Sequence, residues 1–137
     1  MNEKWLHYIR TFEGFAPLPY QCPSGHLTVG YGHNLEVPML KEAALALLEK
    51  DALVAQKEAQ EVCSVWARLN PPRQFVLVDM CFNMGRARLK TFQKMLAALA
   101  CADYQKAAEE MLCSRWASQV GRRAKVLSKI METGEYV

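Results

Sequence analysis

Residues 13–33, EGFAPLPYQCPSGHLTVGYGH, interrupt a chain that is otherwise patterned for helix. Just upstream, Trp5, Leu6, Ile9 and Phe12 fall at helical spacing behind a capping Asn2, so Glu13 stands at the end of an amphipathic helix that Gly14 stops. Pro17, Pro19 and Pro23 then exclude helix, and the segment reads as a Pro-broken loop carrying the thiol of Cys22. Ser24-Gly25 reads as a turn, and Leu27 to Tyr31 alternates as a short strand, one arm of a hairpin. So little sheet cannot stand alone and must pack against a helix. An acid, a thiol and a hydroxyl, at Glu13, Cys22 and Thr28, thus sit on three local structures joined by tight turns, as active-site clefts are commonly built.

Downstream the period returns to that of helix. Pro38 is placed as the first residue of a long helix to about Val62, with Leu40, Ala44, Leu47, Leu48, Ala52 and Ala55 as its apolar stripe. Asn70-Pro71 caps and opens the most hydrophobic helix, QFVLVDMCFNM, which Gly85 ends; being apolar almost all round, it is the expected central buried helix. Shorter helices are predicted at about 91–101, 104–113 (Asp103 as cap), 115–119 and 122–132, ending at Gly134. The expected layout is a single mostly helical α+β domain over residues 1–137. It has a small β-containing lobe at about 13–37, a connecting helix at about 38–62, and a helical lobe at about 63–137 joined by the N-terminal helix 2–12.

Composition narrows the classes. With 51% hydrophobic and 23% charged residues, the 137-residue chain fits a globular protein and not a disordered one. A net charge of +3 suits association with an anionic polymer but falls short of a nucleic-acid binder. Five cysteines with no CxxC pair rule out a complete disulfide framework and point to synthesis in a reducing compartment. Cys81 reads as a small buried hydrophobe, and Cys63, Cys101 and Cys113, on or near helices, read the same way. The stretch MNEKWLHYIRTFEG carries charges throughout, so neither a signal peptide nor a membrane anchor is expected, and nowhere do 18 apolar residues run together.

Glu13 is the sharpest candidate. The free carbonyls at a helix C-terminus disfavour a negative charge, which favours the protonated acid that a general-acid role needs. For an arbitrary glutamate, a solvated helix end is nevertheless the commoner outcome. Cys22 has three readings beside that of a structural loop cysteine: a nucleophile activated by His26 or His33, a metal ligand with them, or a group that orients water. Cys22-x3-His26 followed by six residues and His33 matches no standard metal spacing, so neither metal nor other cofactor is expected. The nucleophile reading has no helix N-terminus behind the thiol to activate it. Thr28 shares a strand face with Gly30 and Gly32, which leave that face bare for a bulky substrate.

Glu13, eight residues, Cys22, five residues, Thr28 resembles the Glu-x8-(Asp or Cys)-x5-Thr active-site pattern of the phage-type lysozymes, the endolysin family that includes the T-even type, to which it looks close. The resemblance extends over most of the chain, through GHLTVGYGH (25–33), VLVDMCFNMG (76–85), DYQKAAEEMLCSRW (103–116) and RAK (123–125). It implies a two-lobed lysozyme-like fold and a muramidase that cuts the β-1,4 bond between N-acetylmuramic acid and N-acetylglucosamine in peptidoglycan. It also implies Glu13 as general acid, Cys22 and Thr28 holding and activating the attacking water, Gly30 and Asn83 at the substrate, Arg123 near Glu13, and a His33–Asp51 ion pair. Two departures stand out: many relatives carry Asp where this chain has Cys22, and the segment from Leu35 to Asp51 is shorter by about one helix.

The resemblance further implies a monomer with no nucleic-acid partner and no stable membrane insertion. Such a protein would accumulate in the host bacterial cytoplasm and reach the wall through a membrane-permeabilising, holin-type partner. Two readings from other classes compete: a thiol hydrolase of peptidoglycan stem peptides using Cys22 with His26 or His33, and a non-catalytic polyanion-binding module using Arg115, Arg122, Arg123, Lys125 and Lys129.

Overall fold

The computed structural model describes residues 1–137 as eight α-helices, a 3-10 turn at Trp66–Arg68 and one three-stranded antiparallel sheet. This is the mostly helical α+β composition that the sequence predicts. The chain divides into two compact units, Met1–Ala46 and Leu47–Val137. No helix is long and apolar enough to cross a membrane.

In the first unit α1 spans Glu3–Glu13. The Asn2 side chain caps it by accepting from the Lys4 N–H at 2.9 Å, and Gly14, at φ 68°, ends it. The sheet comes next, in the order β1 (Ala16–Gln21), β2 (Leu27–Gly30), β3 (His33–Asn34). The Pro-rich segment expected to be a loop is therefore a strand. It can be one because β1 lies at the sheet edge and its pairing is irregular: Ala16 opposes Gly30 and Tyr20 opposes Thr28, with a register shift between. Pro17 and Pro19 fall inside that shift, where the ladder asks for fewer N–H donors. β2 stops at Gly30, one residue short of the predicted strand, because Gly30 (φ 69°) and Gly32 (φ 77°) turn the chain back into β3. The rings of Phe15 and Tyr31, 5.3 Å apart, hold the exit from α1 against that turn.

α2 runs from Lys41 to Val62. It starts three residues after the predicted Pro38, because the first helical bond is from the Ala44 N–H to the Leu40 carbonyl, at 3.0 Å. Its buried residues are Ala55 and Ala59.

The second unit is built on α3 (Pro71–Met84), which Asn70 caps by accepting from the Arg73 N–H at 3.2 Å. Val76, Leu77 and Met80 are wholly buried, as the near-continuous apolar run requires. The helix predicted at about 91–101 is α5 (Gln93–Ala100), and a short helix that the sequence did not announce, α4 (Arg86–Lys90), precedes it across a break. The break falls at Thr91–Phe92, where the Thr91 hydroxyl turns back to the Arg88 carbonyl at 2.6 Å. α6 (Tyr104–Leu112), α7 (Arg115–Val120) and α8 (Arg122–Thr133) complete the unit, and Met95, Leu99, Met111, Trp116, Leu127 and Met131 join α3 in one core.

Arg73 locks the C-terminal end of α8. Its guanidinium donates to the Met131 and Glu132 carbonyls at 2.8 and 2.9 Å and lies 3.6 Å over the Tyr104 ring. Removing it strands helix-end carbonyls, so Arg73→Met is expected to lower the unfolding free energy by about 1–3 kcal/mol. Urea denaturation with an unchanged m-value would register that loss.

Candidate active site

Glu13 is the last residue of α1, and the chain immediately beyond it aims its side chain. The Gly14 N–H closes the helix onto the Arg10 carbonyl at 2.9 Å, and the Phe15–Tyr31 contact brings the β2–β3 turn alongside. The carboxyl group lies directly against Gly32: a Cβ built there would stand 2.6 Å from Glu13 Oε2 and 2.8 Å from its Cδ. The sequence suggests that Gly32 clears space for substrate; the group that occupies the space is Glu13 itself. Only glycine combines that clearance with φ 77°.

Cys22 sits at the head of the CPSGH turn. Its N–H donates to the His26 carbonyl at 2.9 Å, and its own carbonyl accepts from the Gly25 N–H at 2.8 Å. The thiol is held below its ordinary range, first by the backbone N–H of His26, against some desolvation, and then by the Thr28 hydroxyl and by the backbone N–H and hydroxyl of Ser24. This is the geometry by which an aspartate bonds the amides of its own turn, here with sulfur as the acceptor. It lowers the proton affinity of the thiol without the helix N-terminus that the sequence lacks. Burial drives the other inner thiols in the opposite direction, Cys63 upward and Cys81 to about 11 with Glu58 adding to the effect.

Thr28, at 4% exposure, is the buried polar residue of the sheet. Its hydroxyl donates to the His26 carbonyl at 3.0 Å, and the one rotatable hydrogen can swing between that carbonyl and an anion beside it. Cys22 and Thr28 thus share the main chain of His26. Glu13 is not among the groups that hold the thiol. The structure brings these three residues into one 46-residue unit, together with Gly30 opposite Ala16 and His33 opposite Val29.

The remaining expected residues belong to the second unit. There Asn83 Oδ1 accepts from the Trp116 indole N–H at 2.9 Å, which fixes the amide and leaves its NH₂ free of intramolecular bonds. Arg123 forks onto Asp79, with Nε and Nη2 at 2.8 and 2.9 Å from the two carboxylate oxygens. Asp51 lies in α2. No three His, Cys, Asp or Glu side chains gather as a metal site. Two contributors lay outside the sequence-based reading: Ser24, and the pairing of His26 Nδ1 with Glu36 Oε2 at 2.6 Å. Ser24 was legible as the residue two beyond an Asp-like position in a turn; Glu36 had no local signal.

Residues 10–132 match the phage lysozyme family model. The chain belongs to the phage lysozyme family. Its enzyme class is accordingly that of the lysozymes, which are glycoside hydrolases. Over 94% of its length it is 30% identical to the endolysin of Acyrthosiphon pisum secondary endosymbiont phage 1, of which it covers 84%. It is 33% identical over 97% of its length to the pre-baseplate central spike protein Gp5 of Enterobacteria phage T4, but spans only 28% of that protein. A probable T4-type lysozyme of Dictyostelium discoideum is 28% identical over 75% of this chain, which covers 66% of that relative.

The geometry sets two expected outcomes. Gly32→Ala is expected to displace the Glu13 carboxyl and cut peptidoglycan hydrolysis by roughly 10- to 100-fold while far-UV circular dichroism stays as in wild type. In a timed iodoacetamide reaction at neutral pH, read by peptide mass spectrometry, Cys22 is expected to be modified well before Cys63 and Cys81; the reverse order would contradict the turn's effect on the thiol.

Proposed function

We propose that this chain hydrolyses the β-1,4 bond between N-acetylmuramic acid and N-acetylglucosamine by single displacement with inversion. The observation that carries the proposal is the separate surroundings of its acid and its thiol: Glu13 packs on the β2–β3 turn, whereas Cys22 is ringed by the N–H and O–H donors of its own turn. Groups with opposite proton duties need such different settings.

In the proposed step Glu13 gives its proton to the leaving glycosidic oxygen as the bond from that oxygen to C1 breaks. A water held by Cys22 and Thr28 forms the new bond to C1 from the opposite face of the ring. The proton it sheds goes to the Cys22 sulfur, so the thiolate is the base. The water must fit between acid and base, which is why inverting enzymes keep the two groups roughly 6.5–9.5 Å apart. That Glu13 is not among the groups holding the Cys22 sulfur supports this arrangement. Asn83 is assigned a substrate amide contact, through the NH₂ that Trp116 leaves free. Arg123, Asp51, His33 and Gly30 are assigned supporting roles on the family resemblance.

The stem-peptide reading draws on the same thiol, but the bond that Cys22 receives from His26 comes from the main chain, and the imidazole is turned to Glu36. The polyanion reading is reduced by Arg123 being committed to Asp79 and by Lys129 lying 3.5 Å from Glu132.

Digestion of purified peptidoglycan separates these readings. Wild type is expected to release new reducing ends without new free amines, with the α-anomer appearing first by NMR. Glu13→Gln is expected to lose at least about 100-fold, and Cys22→Ser about 10- to 100-fold, short of total loss. Undiminished activity in Glu13→Gln, or release of free amines, would sink the proposal.

A further inference from the structure

Glu36 is held in place from two sides. Its own N–H donates to Asn34 Oδ1 at 2.8 Å, and the preceding Leu35 N–H bonds to the Leu27 carbonyl at 2.8 Å, which clips the segment after β3 onto the start of β2. From there its carboxylate reaches His26 Nδ1 at 2.6 Å. As an ion pair this contact is ordinary, since both side chains are about half exposed, at 54% and 51%, and such pairs add little to stability. Its interest lies in what else His26 carries. The His26 carbonyl accepts from the Cys22 N–H at 2.9 Å and from the Thr28 hydroxyl at 3.0 Å, and the His26 N–H faces the Cys22 sulfur. Anchoring that side chain anchors the residue on which the other two depend.

We propose that the Glu36–His26 pair is a positioning device for the lysozyme reaction: Glu36 fixes His26 and keeps a positive charge beside the Cys22 sulfur, so that the thiol serves as an anionic base. The inference rests on the proposed role of Cys22. The groups that act on the imidazole are few and consistent in sign. Glu36 raises its proton affinity by hydrogen bond and by charge, Cys22 raises it further, and partial burial works the other way. On the thiol side the backbone N–H of His26 lowers its proton affinity, desolvation works the other way, and the N–H and O–H groups of Thr28 and Ser24 lower it further. Because the Cys22 charge raises the proton affinity of His26, an imidazolium there favours the thiolate in return; an aspartate at this position would not need that help, since a carboxylate is ionised at neutral pH and a thiol is not.

The sign of the effect is fixed. Removing the carboxylate lowers the proton affinity of His26, the cation is lost at a lower pH, and the neighbouring thiolate loses its support. The Cys22 titration then moves to higher pH, and catalysis loses its base at neutral pH but regains it in alkali.

The test uses E36Q and H26Q, with E36D as the conservative rescue, in the full chain. The rate of iodoacetamide modification at Cys22 is followed against pH by peptide mass spectrometry, alongside the pH profile of reducing-end release. E36Q and H26Q are expected to shift the Cys22 midpoint upward by roughly 0.5–1 pH unit. Their kcat is expected to fall about 3- to 10-fold near pH 6.5 and to recover as pH rises, with KM unchanged. E36D is expected to restore most of both. Coincident Cys22 midpoints in wild type, E36Q and H26Q would overturn the inference, even if activity falls. A shifted midpoint in a protein that releases no reducing ends would uphold the pair's effect on the thiol and overturn the glycosidase reading instead.

Discussion

The main chain of His26 ties the candidate site together, because its carbonyl accepts from both Cys22 and Thr28 while its N–H addresses the Cys22 sulfur. Those bonds fix where a thiolate or a carboxylate would sit, and they do so with backbone donors that do not titrate. A turn of this kind is indifferent to which anion it caps. The substitution of cysteine for aspartate therefore changes the intrinsic acidity of the group while preserving its position. The question of whether a thiol can stand in for a carboxylate becomes one of charge, which the turn's donors and the adjacent imidazole both address.

In the proposed reaction the acid works under the opposite requirement, since it must hold a proton until the leaving oxygen takes it. It sits at the carbonyl end of α1, and the glycine facing it supplies contact without a donor side chain. The 46-residue unit thus sets Cys22 among N–H and O–H donors and Glu13 against a glycine.

Much of this was legible in the sequence, for a physical reason. Caps such as Asn2, Asn70 and Asp103, and stops such as Gly14, Gly85 and Gly134, act within one turn of chain and so leave a local signature. Glu13, Cys22 and Thr28 were singled out by spacing and family resemblance, and the structure brings Cys22 and Thr28 onto one residue's main chain. What escaped depends on partners far away in sequence or on geometry at a sheet edge. Pro17 and Pro19 read as loop because their tolerance in β1 is decided by the missing neighbour on its outer side. The break between α4 and α5 hangs on one threonine rotamer. Arg73 contributes through carbonyls 58 and 59 residues away, and Glu36 through a histidine ten residues upstream. None of these pairings has a periodicity to betray it.

The prolines of β1 have one more consequence. A small sheet with open edges is a template on which another chain can add a strand, and the usual protections are charge, brevity or a missing donor. Here one edge is β1, where two of six residues cannot donate, and the other is β3, which is only two residues long. Neither flank offers a row of free amides long enough to recruit a stranger. The sheet is capped at three strands by its own sequence, and the turn that carries the chemistry is shielded from the intermolecular pairing that would bury it.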